Sequence, residues 1–393
     1  MHTGKVHFRG LDSLRFLAAL FVILDHVPMN QAGAGLPNPN WGALFYRGAP
    51  AVAFFFTLSG FLITYLLLEE QRRTGTIGVG RFYLRRACRI WPLYFVIVAL
   101  GLALYNAVFP RLGIAYPVDY SLGTAALLYA LFLPNVMNGL YRMGGVLNPL
   151  WSIGVEEQFY LAWAPVMRRF HTVLPRAAAG LLAVSLGVFC LNHLSPGHAF
   201  GGGSVQGIVG QLRFHYMAAG ALCAWALHRH RERFLALPVF ASRAVQWVLL
   251  ALLAEYYLTG LLPWGWFLEE VLQVFLYAWL IVTVAANPRN VVRIENRAFE
   301  YLGTISYGLY MWHMVAVYGT SALFRATRWW HGHPVLYCAA YYALVLGATA
   351  AISHLSYRFF EQPFLRLKDR RFSLQVSARP RPLSSDAPAG LPL

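Results

Sequence analysis

The sequence predicts an all-α, polytopic integral membrane protein of about ten transmembrane helices, and three observations carry that prediction. Of 393 residues, 58% are hydrophobic and 12% charged, whereas about 25% of an average soluble domain is charged. Long apolar runs recur from residue 11 to about residue 360. Short basic segments separate them, among them RRACR (85–89), RRFH (168–171), HRHRERF (228–234) and RLKDRR (366–371). The 32 Lys+Arg against 16 Asp+Glu give a net charge of +16. That excess sits in loops, as the positive-inside rule requires, and no nucleic-acid module accompanies it. A lipid bilayer is therefore the expected partner of the basic surface, not nucleic acid.

In chain order, a basic tail (1–10) precedes spans near 11–28, 48–70, 90–109, 149–167, 177–194, 205–227, 241–262, 266–286, 298–324 and 334–358. No small-residue cleavage site follows the first apolar run, so that helix is expected to be retained. The stretch 121–134, SLGTAALLYALFLP, is shorter than the ~20 residues a span needs. If it crossed, RRFH and every later basic loop would face outward. A short re-entrant or interfacial segment instead puts both termini and all the strongly basic loops in the cytoplasm, leaving Arg111, Arg142, Arg325 and Arg328 outside. The transmembrane domain then occupies 11–365, and a basic, compositionally disordered cytoplasmic tail occupies 366–393. Cys88, Cys190, Cys223 and Cys338 are scattered without a C-x-x-C pair, so neither a disulfide nor a metal site is expected. The glycines at 201–203 read as a flexible external connection.

Ionisable side chains inside spans are costly, and each is a candidate functional residue. In LDSLRFLAALFVILDHVP, Arg15 and His26 lie about 1100° apart on a helix, only ~20° beyond three turns, which puts them on one face about 16 Å apart. An imidazole can take a proton from a hydroxyl near neutrality. It can also be a satisfied interfacial residue, and Asp25 beside it either tunes the ring or is solvated at the helix end. In RFYLRRACRIWPLY (81–94), Arg81, Arg85, Arg86 and Arg89 form either a positive-inside anchor or an anion site, with Arg85 and Arg89 at helical spacing. WSIGVEEQFYLAW (151–163) places Glu156 and Glu157 at membrane depth. One of them either pairs with a buried cation such as Arg15 or serves the reaction. In LGTISYGLYMWHM (302–314), Ser306, Tyr307, Tyr310 and His313 stripe a span at three- and four-residue spacing, which suits interhelical hydrogen bonding as well as catalysis. Ser59-Gly60 reads as a close helix contact, since no G-x-S-x-G elbow surrounds the serine. No Walker loop, dinucleotide fingerprint or H-E-x-x-H occurs.

GLDSLRFLAALFVILDH, FFFTLSGFLI, RRACRIWPLY, WSIGVEEQFYL, ISYGLYMWH and FEQPF (360–364), in this order from residue 10 to about 365, resemble the acyltransferase 3 family. That group of membrane acyltransferases includes O-antigen, exopolysaccharide and Nod-factor acetylases and macrolide acyltransferases. The resemblance implies that His26 is the essential catalytic residue, with Arg15 its same-face partner. Arg86 and Arg89 would hold acyl-CoA, Arg85 being a looser match, and Glu157 or Glu156 would support the site. Asp25, Ser152, Tyr307 and His313 are secondary candidates.

The resemblance further implies acyl-CoA, acetyl-CoA above all, as a donor substrate, with no tightly bound cofactor and no metal. The acceptor would be a glycan, a lipid-linked sugar or a glycosylated small molecule, and the setting a plasma membrane such as the bacterial inner membrane. Family members often carry an appended extracytoplasmic domain. This chain ends about thirty residues after its last span, so the reaction is expected to finish in the bundle or with a separate extracytoplasmic partner. His26 would act as general base or as a covalent acyl relay. The rival class is a transporter or flippase of a glycan or acylated substrate, against which stands the lack of a repeat between halves and of paired broken helices.

Overall fold

The structure, a computed structural model, describes residues 8, 10–38, 42–114, 116, 118–194, 203–327 and 334–371. Most of the amino-terminal tail, Arg328, two of the three glycines at 201–203 and the tail beyond 371 lie outside the described residues. The described residues form helices and connections, with no strand among them.

Among the described residues, ten helices are at least 12 residues long: α1 (Leu11–Gly33), α2 (Gly48–Thr74), α3 (Val79–Ala103), α4 (Leu150–Phe170), α5 (Leu174–Leu194), α6 (Phe214–Arg229), α7 (Arg243–Ala254), α8 (Trp266–Ala286), α9 (Ser306–Thr327) and α10 (Pro334–Leu355). Each expected span overlaps one of them. Among the described residues, five helical stretches are long and apolar enough to cross a bilayer by length and composition: Gly48–Thr74, Val79–Arg111, Leu174–Leu194, Trp266–Ala286 and Val335–Arg371. The chain is thus an all-α polytopic membrane protein.

Three boundaries differ from the hydropathy reading, each for a local reason. α3 begins at Val79, so the arginine-rich segment before the apolar run is itself helical. The apolar run 205–227 is two helices, Gly203–Gln211 and α6, with Leu212 and Arg213 unwound between them. The run 298–324 is likewise divided, Arg297–Thr304 giving way to α9 at Ile305. The stretch near 121–134 forms a helix of 9 residues, Leu122–Ala130, capped by Ser121 and followed by Pro134–Leu140. At 1.5 Å per residue such a helix rises about 14 Å, roughly half of a hydrocarbon core of about 30 Å.

Contacts gather the basic connections at one end of the bundle. Phe8 packs on Phe61 and Tyr65 with centroids at 5.5 and 4.9 Å. His228 lies 3.3 Å from Glu69, Arg231 donates to the Ala286 carbonyl at 3.2 Å, and Gln246 to that of Arg289 at 3.4 Å. Apolar burial gives no driving force between helices in lipid, so close packing must supply it. It does so most tightly between α2 and α6. A Cβ on Gly60 would strike the Met217 carbonyl, and one on Gly220 the Thr57 carbonyl, so the two backbones touch directly at this pair of glycines.

Candidate active site

A cavity of about 190 Å³ opens among α1, α2, α3, α4 and α9. Three guanidinium groups converge on it: Arg15 from α1, and Arg86 and Arg89, one helical turn apart, from α3. Ser59, Ser152, Glu156, Tyr160, Ser306, Tyr307 and Tyr310 supply its other polar groups, while Phe55, Phe56, Leu62, Ile63 and Leu66 line its apolar side. Arg15 lies 3.6 Å from Asp12. Among the described residues neither Arg86 nor Arg89 has a carboxylate within 4.0 Å. Nε of Arg86 is buried without a hydrogen-bond partner.

Arg85 does not line the cavity. Its guanidinium reaches Glu70 at 2.5 Å, and the same carboxylate accepts from the Gly78 amide at 3.1 Å. One residue of register on α3 therefore separates an arginine held against the end of α2 from two that face the bundle interior.

The acidic pair is split as well. The Tyr160 hydroxyl donates to Glu156 at 2.8 Å and is bonded to the Ser59 hydroxyl, so Glu156 faces the cavity through a bridge between α4 and α2. Glu157 accepts from the Trp91 indole at 3.2 Å, and its other oxygen is buried without a partner. Tyr307 donates to the Ile90 carbonyl at 2.8 Å, fixing α9 on α3. Tyr310 and Ser152 share a 2.7 Å bond, and the Tyr310 hydroxyl donates to the Pro149 carbonyl at 2.9 Å. The Ser306 hydroxyl is buried and unpartnered.

His26 and His313 are absent from the cavity wall. They lie together, with ring centroids 4.9 Å apart, and His313 is 5.7 Å from the Tyr310 ring. Phe55 is 6.3 Å from the same tyrosine. Phe55 and Tyr310 thus close the cavity on the side toward the two imidazoles. Asp25 accepts from the backbone amide of Gly48 and fills the space where a Cβ of that glycine would stand. Its carboxylate therefore caps the start of α2, where the positive end of a helix dipole favours an anion.

Tyr160, Phe55 and the hydroxyl of Ser59 were not singled out from sequence as site residues. Tyr160 stands four residues after Glu156, the spacing at which side chains meet on a helix, and that was the available signal. Among the described residues no cluster of His, Cys, Asp and Glu is arranged to hold a metal.

Together these features define an integral membrane protein with a charged chamber sunk between its helices. The chain belongs to the acyltransferase 3 family, whose acyltransferase domain profile matches residues 8–354. It is similar to nodulation protein 10 of Rhizobium leguminosarum bv. viciae, 25% identical over 94% of this chain and 97% of that protein. It is also similar to the peptidoglycan O-acetyltransferase of Listeria monocytogenes, 24% identical over 92% of this chain. The chain spans 56% of the length of that second relative. No solved structure matches the chain.

Proposed function

We propose that this protein is a membrane-embedded O-acyltransferase that moves an acyl group, typically acetyl, from acyl-CoA to a hydroxyl of a glycan or glycosylated acceptor. The convergence of Arg15, Arg86 and Arg89 on one cavity carries this reading. An arginine at the centre of a membrane helix costs about 2.5–3.5 kcal/mol. Three of them at one site, two without a close carboxylate, call for an anion, and the phosphates of coenzyme A match the guanidinium fork. The apolar wall of Leu62, Ile63, Leu66 and Phe56 then accommodates the uncharged arm and its acyl group. The basic end of the bundle is the cytoplasmic one on the positive-inside rule, which puts the donor on the side where acyl-CoA is made and both termini inside a plasma membrane.

In this mechanism the donor sulfur and carbonyl pass between Phe55 and Tyr310 to reach His26. His26 takes the proton of the acceptor hydroxyl, the oxygen attacks the thioester carbon, and the carbon–sulfur bond breaks. The hydroxyl of Ser306, buried and unpartnered on this wall, is the donor for the developing oxyanion. Glu156, held by Tyr160, offsets the charge of the arginines when the donor has left. Coenzyme A is here a substrate, and the reading needs no resident cofactor.

Purified protein in liposomes, supplied with labelled acetyl-CoA and a crude glycan and polar-lipid extract, tests the proposal. Label transfer by wild type that disappears in folded His26→Ala is the expected result, and the labelled product identifies the acceptor. A protein that neither binds nor consumes acyl-CoA overturns the reading. Glycan movement across the liposome membrane without acyl transfer establishes a transporter.

A further inference from the structure

His26 on α1 and His313 on α9 meet edge to face, at 68° between ring planes. Each is pinned through Nδ1 to its own helix, His26 at 2.8 Å from the Val22 carbonyl and His313 at 2.5 Å from that of Tyr310. A carbonyl oxygen only accepts, so both Nδ1 atoms carry hydrogen and each neutral ring has a bare Nε2. His313 is wholly buried and its Nε2 has no hydrogen-bond partner. Packing alone does not account for an imidazole in this state, because buried polar atoms are nearly always paired. The same bundle contains the satisfied alternative: His215, equally buried, engages Ser185 at 3.1 Å and Glu270 at 2.8 Å through its two nitrogens. His313 differs from it in facing a second imidazole and in neighbouring Tyr310, which borders the charged cavity.

Building on the acyl-transfer reading, we infer that His313 is a second proton carrier, acting through His26. The acceptor O–H bond breaks and its proton goes to Nε2 of His26, while the oxygen bonds to the thioester carbon. With both Nδ1 atoms held, the Nε2–H of His26 is shared with the bare Nε2 of His313 as the carbon–sulfur bond breaks. The coenzyme A thiolate finally receives that proton, leaving both imidazoles neutral. One histidine suffices to accept a proton. Two, each with Nδ1 locked, also store it until the leaving group is ready.

Three substitutions separate this role from a structural one. His313→Gln keeps an acceptor oxygen near the place of Nε2, His313→Asn keeps a donor near the place of Nδ1, and His313→Phe keeps only the volume. With wild-type acetyl transfer as reference, kcat should fall about 10²–10⁴-fold in the Phe, Asn and Gln variants, the range a general acid–base contribution occupies. The KM for acetyl-CoA should not change, and the Gln variant, whose amide binds no proton near neutral pH, should be as slow as the Phe variant. Wild-type rates in His313→Phe overturn the inference, as does recovery by Gln, which would assign the residue to accepting a hydrogen bond, or by Asn, which would assign it to holding the Tyr310 carbonyl. If the Phe variant fails to fold, the Gln and Asn pair still decides. Absence of transfer by the wild type overturns the acyl-transfer reading and this inference with it, whereas transfer that is indifferent to His313 overturns the inference alone.

Discussion

Two polar clusters are buried in this bundle, and they are built on opposite terms. The cluster around Glu270 is closed. Glu270 accepts from His215 at 2.8 Å and lies 3.7 Å from Arg213, Tyr216 donates to Gln273 at 3.1 Å, and Gln273 donates to Tyr256 at 3.0 Å. It sits where the chain unwinds at Leu212–Arg213, and its bonds tie that break to α5 and α8. The cluster around Arg15, Arg86 and Arg89 is open. It borders a cavity, and Arg86, Ser306 and Glu157 each leave a buried polar atom unpaired there or beside it. Charge in a membrane helix does not by itself mark an active site. The distinction lies in whether the partners come from the protein or are left for a ligand.

Substitution should pull the two clusters apart. The largest effect is expected from Glu270→Ala, which leaves Arg213 and His215 without their carboxylate. Breaking a buried pair in this way destabilises by about 3–5 kcal/mol. Thermal or denaturant unfolding in detergent should show that loss, while the rate per folded molecule stays near wild type; a stable but inactive variant would move Glu270 into the reaction. Arg86→Ala should do the reverse. Removing a charged hydrogen-bonding group from a ligand costs about 1.5–3 kcal/mol. The affinity for acetyl-CoA should therefore drop roughly 10- to 150-fold in a binding titration, with the unfolding midpoint unchanged or raised. Tyr310→Phe is the mildest. It removes the bonds to Ser152 and the Pro149 carbonyl, at about 0.5–1.5 kcal/mol. A small loss of stability should accompany an altered turnover rate, and an unchanged rate would argue that the ring is a passive wall.

The sequence was most legible where composition and charge act over many residues. Apolar runs located each long helix among the described residues, and its length set 121–134 apart as too short for a span. Hydropathy could not place the start of α3, because RFYLRRACR is helical without being apolar. It could not detect the break before α6 either, since Leu212 and Arg213 interrupt the backbone inside an otherwise continuous run. At the site, sequence nominated the arginines, but spacing paired Arg85 with Arg89, whereas Arg86 and Arg89 are the pair that lines the cavity. Glu70, which lies across a turn on α2, separates Arg85 from them, and that information is tertiary. The same holds for His313. Its spacing in ISYGLYMWH suggested a helical stripe, but the unpaired nitrogen and the facing imidazole exist only after α1 and α9 have packed.

The glycine contact between α2 and α6 bears on how the chamber can work. At Gly60 and Gly220 main chain rests on main chain, with no side chain between them that could change rotamer and give way. The two helices therefore form a keel. Phe55 stands on that keel, five residues before Gly60, and Tyr310 stands on α9 opposite it. On the mechanism proposed, a thioester travelling from the arginines to the histidines passes two rings steadied in different ways, Phe55 through the backbone it stands on and Tyr310 through its hydroxyl bonds to Ser152 and the Pro149 carbonyl.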